Sequence, residues 1–148
     1  MPTVIIRPDA IGSTTGFDQT GTNLLSRIND NDNGISVNQN QTSANFSVGM
    51  ENSSDYSGAT INNVVVSVIG NTVGKASSCQ LEIRLKDAEE NALQTTILTF
   101  GTTESTQSTS EYSESLTPSV VDGLNLAVTP DTSGITIKEI FITVDYTA

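Results

Sequence analysis

The sequence predicts an all-β protein, a single antiparallel β-sandwich that is jelly-roll-like and has about 8–10 strands. Three observations predict it. The 148-residue chain is rich in residues that suit strand faces and turns, with 21 Thr, 18 Ser and 13 Asn. Short segments that alternate apolar and polar residues follow one another at close intervals, and no segment has the apolar spacing of a long helix. The length suits one domain, so residues 1–148 are assigned to a single sandwich.

The first element is a short apolar strand. It comprises Val4, Ile5 and Ile6 and ends before Arg7 and Pro8, because proline cannot donate to a strand ladder. A strand of this kind can extend the sheet of a neighbouring molecule. Its three apolar residues are therefore the candidate interface, and pairing within the same sandwich is the simpler alternative.

Turns and short elements follow. Residues 9–22 contain three glycines and predict turns, with Phe17 as a core anchor. Residues 23–28 are compatible with a helical turn or a strand, and residues 35–37 with a short strand. Residues 30–34 resemble a calcium loop, but their Gly is fifth, and that loop needs Gly sixth and a distal Glu. We predict a turn there, and no metal site.

The middle of the chain contains four longer strands. Residues 45–50 and 60–69 alternate, and the second is expected to be a central strand because both of its faces are partly apolar. Residues 79–86 alternate most regularly and predict a hairpin with residues 92–100. Residues 87–91 contain three carboxylates, which we interpret as a solvated hairpin tip, and not as the paired carboxylates of a glycosidase.

The segments after the hairpin are less regular. Residues 101–117 have the composition of a linker, but Tyr112 and Leu116 indicate that part of them is an edge strand. Residues 118–122 predict a short helical turn, and residues 124–128 a strand.

The last strand, residues 134–148, changes its alternation. Ile135 and Ile137 have one parity, whereas the apolar residues from Ile140 onwards have the other. A β-bulge near Lys138 and Glu139 would turn both groups towards the core.

The composition excludes several functions. The chain has 17 acidic and 6 basic residues, so its net charge of −11 argues against binding to nucleic acid or to anionic membranes. It has no histidine to activate its single cysteine, Cys79, which we interpret as a buried core residue. No apolar segment is long enough for a signal sequence or a membrane span. We expect no catalytic residue, no cofactor and no metal ligand.

The order of the segments resembles a known family. The matching segments are IRPDAIGSTTGF, SRINDNDNGISV, GATINNVVVSVIG, CQLEIRLKD, LTPSVVDGLNLAVTP and GITIKEIFITVDYTA. This series is similar to β-sandwich domains in virion structural proteins of tailed bacteriophages, although the tryptophans usual there are absent and Phe17 stands where one often occurs.

The resemblance implies a non-enzymatic capsid decoration or cement protein. It would be made in the host cytoplasm, bind the major capsid protein on the capsid surface of the virion, and be a homo-oligomer. The alternative is a phage tail or fibre module that binds a host receptor or carbohydrate. Exposed aromatic rings would favour such a module, but the chain has few aromatic residues that could serve: Tyr56, Tyr112, Tyr146 and four Phe.

Overall fold

The computed structural model describes residues 2–15, 17–18, 37–39, 45–72, 77–131 and 134–148. The elements of these residues are, in chain order, β1 (Thr3–Ile6), β2 (Pro8–Thr15), β3 (Phe17–Asp18), β4 (Val37–Gln39), β5 (Asn45–Met50), β6 (Thr60–Thr72), β7 (Ser78–Lys86), β8 (Ala92–Gly101), β9 (Ser105–Ser108), α1 (Pro118–Asp122), β10 (Asn125–Pro130) and β11 (Ile135–Thr147).

The strands form two antiparallel sheets. One has the order β2-β5-β10-β7-β8, and the other has the order β3-β4-β11-β6-β9, with β1 also paired to β11. The chain repeatedly passes from one sheet to the other, as it does between β5, β6 and β7. A single cluster of buried residues from both sheets forms the core. The all-β sandwich that the sequence predicts is therefore confirmed.

The alternation of the long strands sets the core. Leu81, Ile83 and Leu85 are buried on one face of β7, which pairs with β8 as the predicted hairpin. β6 lies between β11 and β9, so the prediction of a central strand is confirmed. Cys79 is buried and unoxidised, as expected for a core residue.

The predicted bulge in the last strand is confirmed. The pairing of β11 with β6 shifts register between Ile137 and Glu139. Because one extra residue is accommodated there, Ile135, Ile137 and Ile140 are all fully buried despite their different parity.

One expectation was wrong in detail. Residues 9–22 were expected to form turns, but Pro8–Thr15 pair with β5 as a strand, and two register shifts accommodate their irregular sequence. The edge strand expected within residues 101–117 is confirmed as β9, the last strand of its sheet. Tyr112, which helped to indicate it, lies after β9 and forms an isolated bridge to Val64.

Some of the other predicted segments lie partly or wholly outside the described residues. The short strand expected at residues 35–37 corresponds to β4, which begins at Val37. Residues 23–28 and 30–34 lie outside the described residues, as does the side chain of Phe17. The helical turn expected at residues 118–122 is confirmed as α1.

Candidate functional site

The residues of the predicted interface lie in β1. This strand pairs with β11 of the same chain, and Ile6 packs fully buried in the core, so its side chain cannot contact a partner. Ile5 points away from the core and is 41% exposed, whereas Val4 is half-buried. In the structure β1 therefore pairs within its own sandwich, which was the simpler alternative. A contact of Val4 or Ile5 with a second molecule stays a prediction.

The tyrosines available to a sugar-binding module are at least half-buried. Tyr56 is fully buried, so its ring cannot stack on a sugar. Tyr112 and Tyr146 are half-buried and pack against the core. The Tyr146 ring meets that of Tyr56 edge to face, with 6.5 Å between the ring centroids. These rings stabilise one end of the sandwich.

The hairpin tip between β7 and β8 is held by Asp87. Its Oδ1 accepts hydrogen bonds from the N–H groups of Glu89 (3.0 Å) and Asn91 (2.9 Å), and its Oδ2 accepts one from Asn91 Nδ2 (3.2 Å). The hydrogen bond from the Asn91 backbone is the main reason that the pKa of Asp87 is lowered. Lys86 pairs with Glu90 at 3.3 Å. The tip carboxylates thus hold a turn, in agreement with the interpretation as a hairpin tip.

The helix α1 faces this tip, although a single helical turn is unstable by itself. The Thr117 hydroxyl caps it by accepting the Val120 N–H at 3.2 Å, and Val121 anchors it in the core. At its C-terminal end, the Tyr56 hydroxyl donates to Asp122 Oδ1 at 2.6 Å. Burial, together with this hydrogen bond, raises the pKa of Tyr56 well above its ordinary value, so the phenol stays a donor.

Two residues that follow α1 contact the hairpin tip directly. Asn125 Nδ2 donates to the Asp87 carbonyl at 2.9 Å. Gly123 lies so close to Ala88 that a Cβ at that position would be 2.8 Å from the Ala88 Cβ. The residue that follows α1 therefore has to be glycine for the two elements to approach this closely.

A small cleft lies between the two elements, and we call it the hairpin–helix cleft. It has a volume of about 150 Å³ and is lined by Asp87, Ala88, Glu89, Ser119 and Val120. Asp87 already accepts three hydrogen bonds within the tip, so Glu89 and Ser119 are the lining residues with the most remaining capacity for hydrogen bonds to a ligand. The two apolar side chains provide contact surface. Carboxylates and hydroxyls accept hydrogen bonds from hydroxyl groups, so the lining has polar groups of the kind that a hydroxyl-bearing molecule would contact.

The cleft does not have the features of a metal site. Among the residues that the structure describes, no group of three or more His, Cys, Asp or Glu side chains is placed to hold a metal ion. Within the same residues, no helix is long and apolar enough to cross a membrane.

Sequence patterns did not indicate that these residues lie close together. The hairpin tip and the helical turn were each predicted, but some thirty residues separate Glu89 from Ser119. Tyr56 comes from a third segment, the loop between β5 and β6. Only the pairing of β10 with β7 brings α1 beside the tip, and no local pattern encodes that pairing.

Comparisons with known proteins address the fold. No protein-family model matches the chain, and no curated protein matches it. Among solved structures, the chain is similar to the C-terminal CBM6, a carbohydrate-binding module, of the laminarinase LamC from Zobellia galactanivorans. The TM-score is 0.56 at 11% sequence identity, and the match covers 97% of this chain and 98% of that module.

Two further structures resemble the chain less closely. The enzymatically active domain of tailspike protein 4 from bacteriophage CBA120 has a TM-score of 0.48 at 11% identity, with 97% of this chain and 19% of that chain covered. The isomaltodextranase of Arthrobacter globiformis T6 has a TM-score of 0.47 at 10% identity, with 74% and 18% covered. This chain thus spans about a fifth of each of these proteins.

The resemblance to virion proteins implied a β-sandwich fold and a capsid decoration role. The comparisons support the fold and do not support the role. At 11% identity the likeness to the CBM6 is one of fold. The chain therefore has the β-sandwich fold that this carbohydrate-binding module also has.

Proposed function

We propose that this chain is a non-catalytic binding module that holds a neutral saccharide unit in the hairpin–helix cleft. The observation that carries the proposal is the preformed cleft itself, in which Glu89 and Ser119 offer hydrogen-bonding groups beside apolar carbon atoms. Ligand sites commonly combine apolar surface with a few convergent polar groups. The volume of about 150 Å³ is below the roughly 300–1,000 Å³ of pockets for drug-sized ligands, so one ring or chain end would fit.

The charge of the molecule supports a neutral ligand. The chain carries a net charge of −11, and the cleft contains the carboxylates of Asp87 and Glu89. An anionic sugar would approach like charges, which lowers both its association rate and its affinity. A neutral sugar avoids this repulsion and can donate its hydroxyl groups to the carboxylate.

The fold is compatible with such a role. A carbohydrate-binding module has the same sandwich over almost the whole length of the chain. Fold alone does not imply function, so the proposal depends on the cleft. It is consistent with the alternative that the sequence left open, a module that binds a host receptor or carbohydrate.

A glycan array tests the proposal. The purified chain is applied to an array of neutral and anionic oligosaccharides, and the affinity for any glycan that binds is measured by calorimetry. We expect neutral glycans alone to bind. Absence of binding to every neutral glycan, or a preference for anionic ones, would contradict the proposal.

Variants then test the cleft. Glu89→Gln keeps the shape of the side chain but removes its charge, and it should weaken binding by about tenfold, because hydrogen bonds to charged groups are worth roughly 1.5–3 kcal/mol. The matched control is Glu111→Gln, which changes an exposed glutamate that does not line the cleft. Equal affinities for both variants would place the ligand elsewhere.

Capsid decoration is the second candidate function. The observation that favours it is the exposure of Ile5 in β1, beside half-buried Val4, because an apolar edge strand can contact a capsid protein. The number of copies of the chain per purified virion tests this second candidate. Hundreds of copies would support decoration, whereas about a dozen or fewer would exclude it and favour a tail or fibre location.

A further inference from the structure

The edge strand β8 differs from the rest of this acidic molecule. It is the last strand of its sheet, and among the described strands it pairs only with β7. Its ten residues, ALQTTILTFG, include no charged residue and no proline. Thr95, Ile97 and Thr99 are exposed on its outer side, and Ile97 is 51% exposed. A long, uncharged edge with an exposed apolar residue readily pairs with another strand.

The other described sheet edges are shorter or interrupted. β1 and β9 have four residues each, and β3 has two. β2 is longer, but it begins with Pro8 and contains two register shifts. Short strands, proline and bulges are the usual protection of edges. Within the residues that the structure describes, β8 is the longest of these edges. It has one register shift, at Leu93 near its start, and residues 94–101 then pair with β7 without interruption.

The two charged residues of β7 opposite the middle of β8 neutralise each other. The residues of β7 opposite Ile97 and Thr95 are Glu82 and Arg84, which form an ion pair at 3.0 Å. The molecule as a whole has a net charge of −11, so most approaches of two copies are repulsive. Because β8 has no charged residue, contact along it does not place a charge of this strand against the partner.

We infer that β8 pairs with β8 of a second copy of this chain, antiparallel and about a twofold axis at Ile97. The outer-side residues around Ile97 are symmetric, with Thr95 and Thr99 two positions to either side. In this register Ile97 lies opposite Ile97 of the second copy and Thr95 opposite Thr99, which are favourable cross-strand pairs. The two five-stranded sheets join into one continuous sheet across the dimer. The inference concerns assembly and does not depend on saccharide binding.

Sedimentation velocity over a range of protein concentrations tests this inference. We expect a monomer–dimer equilibrium that shifts towards the dimer when salt rises from about 0.01 M to about 0.15 M, because the Debye length falls from roughly 30 Å to roughly 8 Å. Ile97→Lys places two like charges across the axis and should weaken dimerisation by at least about tenfold. A chain that remains monomeric at every concentration, or an Ile97→Lys variant that dimerises as the parent does, would overturn the inference.

The matched control is Thr129→Lys, which adds the same charge to an exposed residue of β10, two strands from the edge. It should dimerise at least as well as the parent. If Ile97→Lys does not fold, cysteine trapping decides. Ile97→Cys should form a disulfide-linked dimer under mild oxidation far faster than Thr129→Cys, because opposed residues of antiparallel strands are within disulfide range. Buried Cys79 does not compete, and equal trapping of both variants would overturn the inference.

Discussion

Tyr56 shows how one side chain holds three segments together. Its ring is fully buried against Tyr146, and its hydroxyl both donates to Asp122 and accepts the Ser53 N–H at 3.3 Å. The loop between β5 and β6, the last strand and α1 thereby share one contact point. Tyr56, one of the few aromatic residues that the sequence offered for stacking on a sugar, is instead part of the packing that supports α1, one wall of the hairpin–helix cleft.

Tyr56→Phe measures the contribution of that hydroxyl. The variant keeps the ring but removes a buried hydrogen bond to a carboxylate, so we expect the free energy of unfolding to fall by about 1.5 kcal/mol. Because Asp122 is exposed and can bind water instead, the loss should lie at the lower end of such values. Denaturant unfolding gives the number, and Tyr112→Phe is the control, with an expected loss below about 0.5 kcal/mol. Equal losses would show that the bond to Asp122 adds no stability.

The bulge in β11 allows one strand to bury apolar residues of both parities. The extra residue lets both groups of isoleucines face inwards, and it also moves the backbone close to β6. A Cβ on Gly70 would lie 2.5 Å from the Thr136 carbonyl oxygen, so no side chain fits there without a shift of the backbone. The glycine in β6 is thus matched to the bulge in its partner strand.

Gly70→Ala tests this match. The added methyl group should lower the free energy of unfolding by roughly 1–3 kcal/mol, as overpacking does in other cores. Gly101→Ala is the matched control, because a Cβ at Gly101 has no neighbouring atom within 4 Å. The control should change stability by less than about 0.5 kcal/mol. A Gly70→Ala protein as stable as the control would contradict the close approach of β6 and β11.

Across the whole molecule, Arg7 connects the two sheets. It follows β1, and its backbone exchanges hydrogen bonds with Glu51 just beyond the end of β5, at 3.0 and 2.8 Å. Its guanidinium pairs with Glu139 at 3.3 Å, and Glu139 is only 4% exposed. In a chain with 6 basic and 17 acidic residues, this cation neutralises a carboxylate that burial would otherwise make unfavourable.

Arg7→Met should therefore destabilise the protein by about 2 kcal/mol. This is less than the roughly 3–5 kcal/mol expected for a fully buried pair, because the Arg7 side chain is 28% exposed. Arg84→Met is the control, since the pair of Arg84 with Glu82 is far more exposed and should be worth less than about 1 kcal/mol. Thermal and denaturant unfolding of both variants gives the comparison. If Arg84→Met lowered the free energy of unfolding more than Arg7→Met, the ion pair of Arg7 with Glu139 would not be the more stabilising of the two.

The alternation of apolar residues by itself determined the fold class, the β7–β8 hairpin, the central position of β6 and the bulge in β11. It could do so because strand geometry has a period of two, so the buried face of each strand can be read locally. The acidic composition argued against binding to nucleic acid or anionic membranes, and the lack of histidine argued against a catalytic cysteine.

Only the tertiary structure decided where the segments meet. It placed Ser119 opposite Glu89, buried Tyr56 against α1, located the edge strand of residues 101–117 at β9 and placed Ile6 in the core. Such contacts depend on which strands become neighbours, and many pairings satisfy the same alternation equally well. The free energy that selects among them comes from long-range packing and buried hydrogen bonds, which no short stretch of sequence contains.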